Sequence, residues 1–224
     1  MSTTKDRAAR ARDIGRPGDG GGSSRKALIP VLAVVAVVVV AFVVALLAGG
    51  DDEGTAAETY VSTAGVTVRG EPLPPLADDG SDPAVGSEAP TLEGVSHLGD
   101  PTNLEPTGEP TLVAFLAHWC PHCQAELPRL VELAGEGALD DLRSVVVLTG
   151  TDAALDNHPP GEWLEREGWT GDVVVDDAES TAGSAFGLSS YPFLVLLDAD
   201  GEVIARSAGE LGMDGLRAFL AQAG

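Results

Sequence analysis

Positions 27–48 form an unbroken apolar run of 22 residues, with no charge and one proline, Pro30, near its start. At about 1.5 Å per residue a helix of that length reaches about 33 Å, matching a hydrocarbon core of about 30 Å. The run has no polar face and exceeds the ~7–15 apolar residues of a cleaved signal peptide, so the pattern predicts one retained transmembrane helix. Residues 49–84 then turn polar. Gly49, Gly50, Asp51, Asp52, Glu53 and Gly54 bury nothing, and Pro72, Pro74, Pro75, Asp78, Asp79, Gly80 and Asp82 form a second polar stretch, which together predict a flexible linker. Within it, Val66-Thr67-Val68 alternates and predicts a short strand.

From residue 85 to residue 224 the pattern is that of one α/β domain. Thr111-Leu-Val-Ala-Phe-Leu-Ala117 is continuously apolar and of strand length, as expected of a strand buried on both faces. A helix is predicted over 121–134, with Leu127, Leu130, Val131 and Ala134 on one face. Further strands are predicted at 144–148, 173–175 and 193–197, and further helices at 160–167, at 179–186 ending on Gly187, and at 213–223. Asp198-Ala-Asp-Gly201 predicts a turn, with residues 202–206 pairing back as a hairpin. Strand–helix alternation followed by a late hairpin implies a mixed sheet flanked by helices.

Charge sharpens the topology. Residues 1–26 carry seven basic and three acidic side chains, whereas everything after residue 48 carries six, all Arg, against 32 acidic. The basic side of a span stays in the cytoplasm, so the acidic domain is expected outside the cell membrane, where disulfides persist. A net charge of −22 argues against nucleic-acid binding. With only two cysteines, a disulfide-stapled miniprotein and a four-cysteine zinc site are excluded.

The chemistry sits at Trp119-Cys120-Pro121-His122-Cys123. Two thiols three positions apart at a strand–helix junction share the first helical turn, close enough to form a disulfide. The first sulfur lies at the helix start, where free N–H groups and the helix dipole favour a thiolate. Pro121 suits that turn because its missing N–H costs nothing there. His122 is expected to add positive charge or a hydrogen bond beside Cys120. A second reading takes His118, Cys120, His122 and Cys123 as copper(I) or zinc ligands in a metal-carrier module. A third treats the cysteines as incidental to an adaptor. His97 and His158 read as exposed loop histidines, and Trp163 and Trp169 as packing residues.

Trp-Cys-x-x-Cys after an apolar strand resembles the thioredoxin superfamily, and the wider pattern resembles its membrane-anchored TlpA/ResA-type branch. The likeness covers about residues 85–220. It begins at Val85-Gly-Ser-Glu-Ala-Pro90, includes Pro128 eight positions after Cys120, and includes Tyr191-Pro192 before the strand at 193–197. Residues 160–176 match an extra helix and strand typical of that branch. The resemblance implies a thioredoxin-like fold and a protein thiol–disulfide oxidoreductase needing no cofactor beyond its own Cys120–Cys123 disulfide. It implies a cis Pro192, a substrate backbone held beside Cys120 with Trp119, Pro121 and Tyr191 in contact, protein thiol or disulfide substrates, and a membrane redox partner. Two departures stand out. Ala114 occupies the position of the buried carboxylate common in thioredoxins, leaving water or another acid such as Glu126 to take the Cys123 proton. The dipeptide Pro121-His122 resembles DsbA-type oxidases, so it favours the oxidising direction while the branch favours the reducing one.

Overall fold

The computed structural model describes residues 59–77 and 81–224. The anchor expected at 27–48 and the basic tail at 1–26 lie outside the described residues, among which no helix is long and apolar enough to cross a membrane. Eight strands, four α-helices and a closing 3₁₀ turn build the domain. They are β1 (Thr67–Arg69), β2 (Thr91–Val95), β3 (Pro101–Leu104), β4 (Thr111–Leu116), α1 (Pro121–Gly135), β5 (Arg143–Leu148), α2 (Pro160–Glu167), β6 (Asp172–Val175), α3 (Thr181–Ala185), β7 (Phe193–Leu197), β8 (Val203–Ala208) and α4 (Gly212–Leu220).

The main sheet has the order β6-β5-β4-β7-β8. β4 runs parallel to β5 and antiparallel to β7, so the sheet is mixed, as the strand–helix alternation and late hairpin imply. All six residues of β4 are buried, because it is central in the sheet and covered on both faces. The two-residue period of a strand sorts them. Leu112, Ala114 and Leu116 join one core with Leu127, Leu130 and Leu133 of α1, Trp163 of α2 and Phe219 of α4. Val113 and Phe115 join the other with Phe186, Phe193, Leu92 and Leu104. Trp163 and Trp169 are buried, as the packing reading requires. Helix α1 runs through Pro128, which leaves the Gln124 carbonyl without its helical donor.

Two expectations are corrected. The flexible linker does not extend to residue 84. Val61 N–H donates to His97 O at 2.8 Å, β1 pairs with β2, and Leu73 is buried with its N–H on Ala185 O at 2.8 Å. Scattered apolar residues in a polar segment bury themselves by lying along the domain. Second, the helix expected from residue 179 starts at Thr181. Buried Asp176 accepts from the N–H groups of Ala182 and Gly183, and Ser180 is left-handed (φ 57°) immediately before the helix. The β2–β3 hairpin is an addition to the expected elements; only Leu92 and Leu104, cross-strand partners, are buried in it, too few to give an apolar period.

Asp82 shows how firmly the supposed linker is held. Arg206 Nε donates to its carboxylate at 3.1 Å and Arg206 Nη1 donates to Phe186 O at 2.8 Å, with the guanidinium buried 5.9 Å from the Phe193 ring centre. Against the cost of desolvation, Arg206 and the Ala84 N–H hold the Asp82 carboxyl below its ordinary value of 3.8. Its contribution to stability is therefore full above about pH 3.8 and is lost as pH falls through the lower folded value. Asp82→Ala leaves a buried unpaired guanidinium. We expect it to lower unfolding free energy by about 3 kcal/mol in urea titrations at pH 7, and the deficit to shrink towards pH 3. An unchanged midpoint would contradict the assignment.

Candidate active site

Strand β4 ends at Leu116 and the chain turns through Ala117, His118 and Trp119 into α1. Cys120 is the residue before the helix, extended (φ −74°, ψ 121°), with its N–H on Ala117 O at 3.0 Å and its carbonyl accepting from Gln124 N–H at 3.0 Å. Pro121 is the first helical residue, where a missing donor is harmless. Cys120 is 7 % exposed and Cys123 is wholly buried. Burial pushes the Cys123 thiol far above its ordinary range, against a hydrogen bond with the Ala117 backbone, and the neighbouring Cys120 and Glu126 push it further. Cys123 is therefore held as a neutral thiol behind the more accessible Cys120.

Register brings the second half of the site to the first. Phe115 of β4 pairs with Phe193 of β7, so the residues after one strand meet those before the other. The Tyr191–Pro192 peptide is cis, as the resemblance implies. Cys120 Sγ faces Tyr191 O at 3.9 Å, and Pro192 O accepts from Gly209 N–H at 2.8 Å. Trp119 is half-buried, edge-on to Tyr191 at 5.8 Å, with Nε1–H donated to Gly150 O at 2.7 Å. Gly150 is required here. Its φ is +60°, and a Cβ would come within 2.5 Å of the Tyr191 hydroxyl.

The polar surroundings differ from expectation. His122 is exposed and its Nδ1 meets Glu210 Oε2 at 2.9 Å. Arg129 Nη1 bridges Glu210 at 2.6 Å and fully buried Glu126 at 2.9 Å. Glu126 also accepts the N–H groups of Leu211 at 2.8 Å and Gly212 at 3.2 Å, at the start of α4. A buried carboxylate thus stands beside Cys123 although Ala114 is apolar; it comes from the helix, not from β4.

His118 serves the scaffold. Its Nδ1–H donates to Asp156 O at 2.6 Å and its Nε2 accepts from Asp152 N–H at 3.3 Å, which fixes a neutral tautomer. Its carbonyl accepts from Gln124 and Asn157 side chains, so the loop 150–159 is tied to the residue beside Trp119. With the His118 ring committed to that loop and His122 to Glu210, the four His and Cys side chains do not share a ligand geometry. Among the described residues no group of three or more His, Cys, Asp or Glu side chains is placed to hold a metal ion. His158 is exposed, but His97 is not a free loop residue, since it stacks on Tyr60 at 6.2 Å and its Nε2 lies 3.4 Å from Glu165.

Sequence reasoning found Cys120, Cys123, Trp119, Pro121, Tyr191 and Pro192, all of which converge. It placed His122 in the site but missed its partner Glu210, and it missed Gly150 and Arg129. Glu210 lies 88 residues from His122, beyond any local signal.

The Redoxin family pattern matches residues 84–216. Over 104 residues the chain is 32% identical to the thiol:disulfide interchange protein DsbE of Haemophilus influenzae, covering 46% of this chain and 53% of that relative. Over 128 residues it is 30% identical to the methylamine utilization protein MauD of Methylophilus methylotrophus, covering 55% of this chain and 56% of that relative. The chain spans about half the length of the curated relatives it matches. A crystal structure from Chlorobium tepidum assigned as a DsbE thiol:disulfide interchange protein superposes with a TM-score of 0.51 at 19% identity, covering 62% of this chain and 98% of that one, a likeness of fold.

Burial, above all, holds His118 below its ordinary value of 6.5. Its contribution to stability is full above about pH 6.5 and is lost as pH falls through the lower folded value. Protonation would also aim a second ring N–H at the Asp152 N–H. We expect unfolding free energy to fall below pH 6.5 with a slope of up to about 1.4 kcal/mol per pH unit, and this slope to be absent in His118→Asn. Equal slopes in the two proteins between pH 7.5 and 5 would refute it.

Proposed function

We propose, on the premise that the chain belongs to the Redoxin family, that it is a protein thiol–disulfide oxidoreductase working through Cys120 and Cys123. The observation that carries this reading is the pairing of a near-surface thiol at a helix start with a wholly buried neutral thiol one turn on, beside a cis-proline loop. Cys120 as thiolate attacks one sulfur of a client disulfide. The client S–S bond breaks, a mixed disulfide forms, and the first client sulfur leaves as a thiolate that takes a proton. Cys123 then attacks Cys120 Sγ, the mixed disulfide breaks, and the Cys123 proton passes by way of water to the second client sulfur, which leaves as a thiol. The client gains two electrons and two protons, and the protein is left with the Cys120–Cys123 disulfide. The oxidising direction is the same sequence reversed. Glu126, buried on the next helical turn, opposes charge on Cys123, so that thiol resists losing its proton until it attacks. Tyr191 and Trp119 would flank the client backbone, with Pro192 offering no N–H to the sulfurs.

We further propose that residues 27–48 anchor the chain, with residues 1–26 in the cytoplasm and the domain outside, exchanging disulfides with protein clients and a membrane redox partner. The relatives named for thiol:disulfide interchange support the exchange; the apolar run and its charge asymmetry support the location. Protease added to spheroplasts should digest the domain, and full protection would overturn the location.

The exchange itself is tested by trapping. Cys123→Ser should accumulate a mixed disulfide between Cys120 and a client, and Cys120→Ser should accumulate none. Wild-type function in Cys120→Ser would instead favour an adaptor. The Pro121-His122 dipeptide leads us to expect a potential above roughly −230 mV, measured by equilibration with glutathione. A value at or below about −270 mV assigns the reducing direction.

A further inference from the structure

The loop between β8 and α4 is tied to the redox centre at three points flanking Glu210. Gly209 N–H donates to Pro192 O at 2.8 Å, while Leu211 and Gly212 donate to buried Glu126 at 2.8 and 3.2 Å. Between these anchors both oxygens of Glu210 are used, Oε1 by Arg129 at 2.6 Å and Oε2 by His122 Nδ1 at 2.9 Å. The chain Glu126–Arg129–Glu210–His122 therefore runs from the surroundings of Cys123 to the dipeptide between the two cysteines. His122 is otherwise solvent-exposed, and Glu210 is its only ion-pair partner among the described residues.

We propose that Glu210 is a positioning residue for the redox pair: it holds the His122 imidazole through Nδ1 beside the start of α1 and thereby makes the Cys120–Cys123 disulfide more oxidising. This rests on the thiol–disulfide exchange proposed above. Two effects of Glu210 oppose each other. Acting directly, its negative charge disfavours a thiolate on Cys120. Acting through His122, it keeps the ring at the helix start, where an imidazolium stabilises that thiolate and hence the reduced protein. The indirect effect prevails because the Glu210 charge is offset in part by Arg129, which it shares with Glu126, whereas among the described residues His122 has no other ion-pair partner to hold it beside the helix start. Both His122 and Arg129 pull the Glu210 carboxyl below its ordinary value, as this arrangement requires.

The two routes predict opposite signs, which makes the test decisive. Full-length protein in detergent is equilibrated with glutathione buffers at pH 7 as wild type, Glu210→Gln, His122→Ala and the double variant. Glu210→Gln should make the disulfide about two- to fivefold harder for glutathione to reduce, His122→Ala should do the same, and the double variant should add nothing further. Nitrogen NMR of His122 should also show a hydrogen-bonded proton on Nδ1 in the wild type and its loss in Glu210→Gln, a readout independent of activity. A disulfide that becomes easier to reduce, or an effect of Glu210→Gln that persists undiminished without His122, overturns the inference. So does an unchanged constant in a Glu210→Gln protein whose circular dichroism and melting match the wild type. If the wild type stays a dithiol at every glutathione ratio, the exchange reading fails and this inference falls with it.

Discussion

The antiparallel pairing of β4 with β7 is the constraint on which the site depends. Phe115 opposite Phe193 means that one strand finishes where the other begins, so the turn carrying Cys120 and the loop carrying Pro192 must lie side by side. The strands are buried on both faces, and slipping the register by one residue would send each apolar side chain into the wrong core. The hydrophobic effect that closes the two cores therefore also sets the separation between sulfur and proline loop. With β4 parallel to β5, the sheet needs a crossover, and α1 supplies it while carrying Cys123 down into the interior.

Around that frame the buried polar groups are nearly all spoken for, and their partners explain the local shape. The Glu126 carboxylate, projecting from α1, meets the start of α4, where a negative charge finds free N–H groups and the positive end of the helix dipole. Asp176 does the same for α3. Arg206 fills the gap between β8, Phe186 and Asp82, and so fastens a segment with no regular structure of its own. A buried charge left without its partner costs several kcal/mol, so each pair ties two distant parts of the chain together. The result is a Pro121-His122 dipeptide whose histidine meets a carboxylate from the loop before α4.

The strands with apolar runs were legible in the sequence: β4, β5 and β7 coincide with expectation or lie within a residue of it, and the helix α2 coincides with it. The elements that went unseen, or were placed wrongly, depend on one or two buried residues or on a cap from elsewhere. The β2–β3 hairpin buries only Leu92 and Leu104, and α3 begins where Asp176 allows it. The segment around Leu73 and Asp82 looked like a linker because its composition is polar, and composition does not reveal an arginine 124 residues away.

The linear sequence by itself determined the α/β architecture, the strand-to-helix junction with its Cys-x-x-Cys pair, and the proline before β7. Those features follow from periodicity and local chain stiffness, which neighbouring residues set. Only the tertiary structure decided that a buried carboxylate, Glu126, lies beside Cys123, that His118 is a scaffold residue, and that His122 is held by Glu210. Those outcomes rest on contacts between residues as many as 88 apart along the chain. Charge and hydrogen bonding act through space, over a few ångströms, and only folding brings such residues within that range.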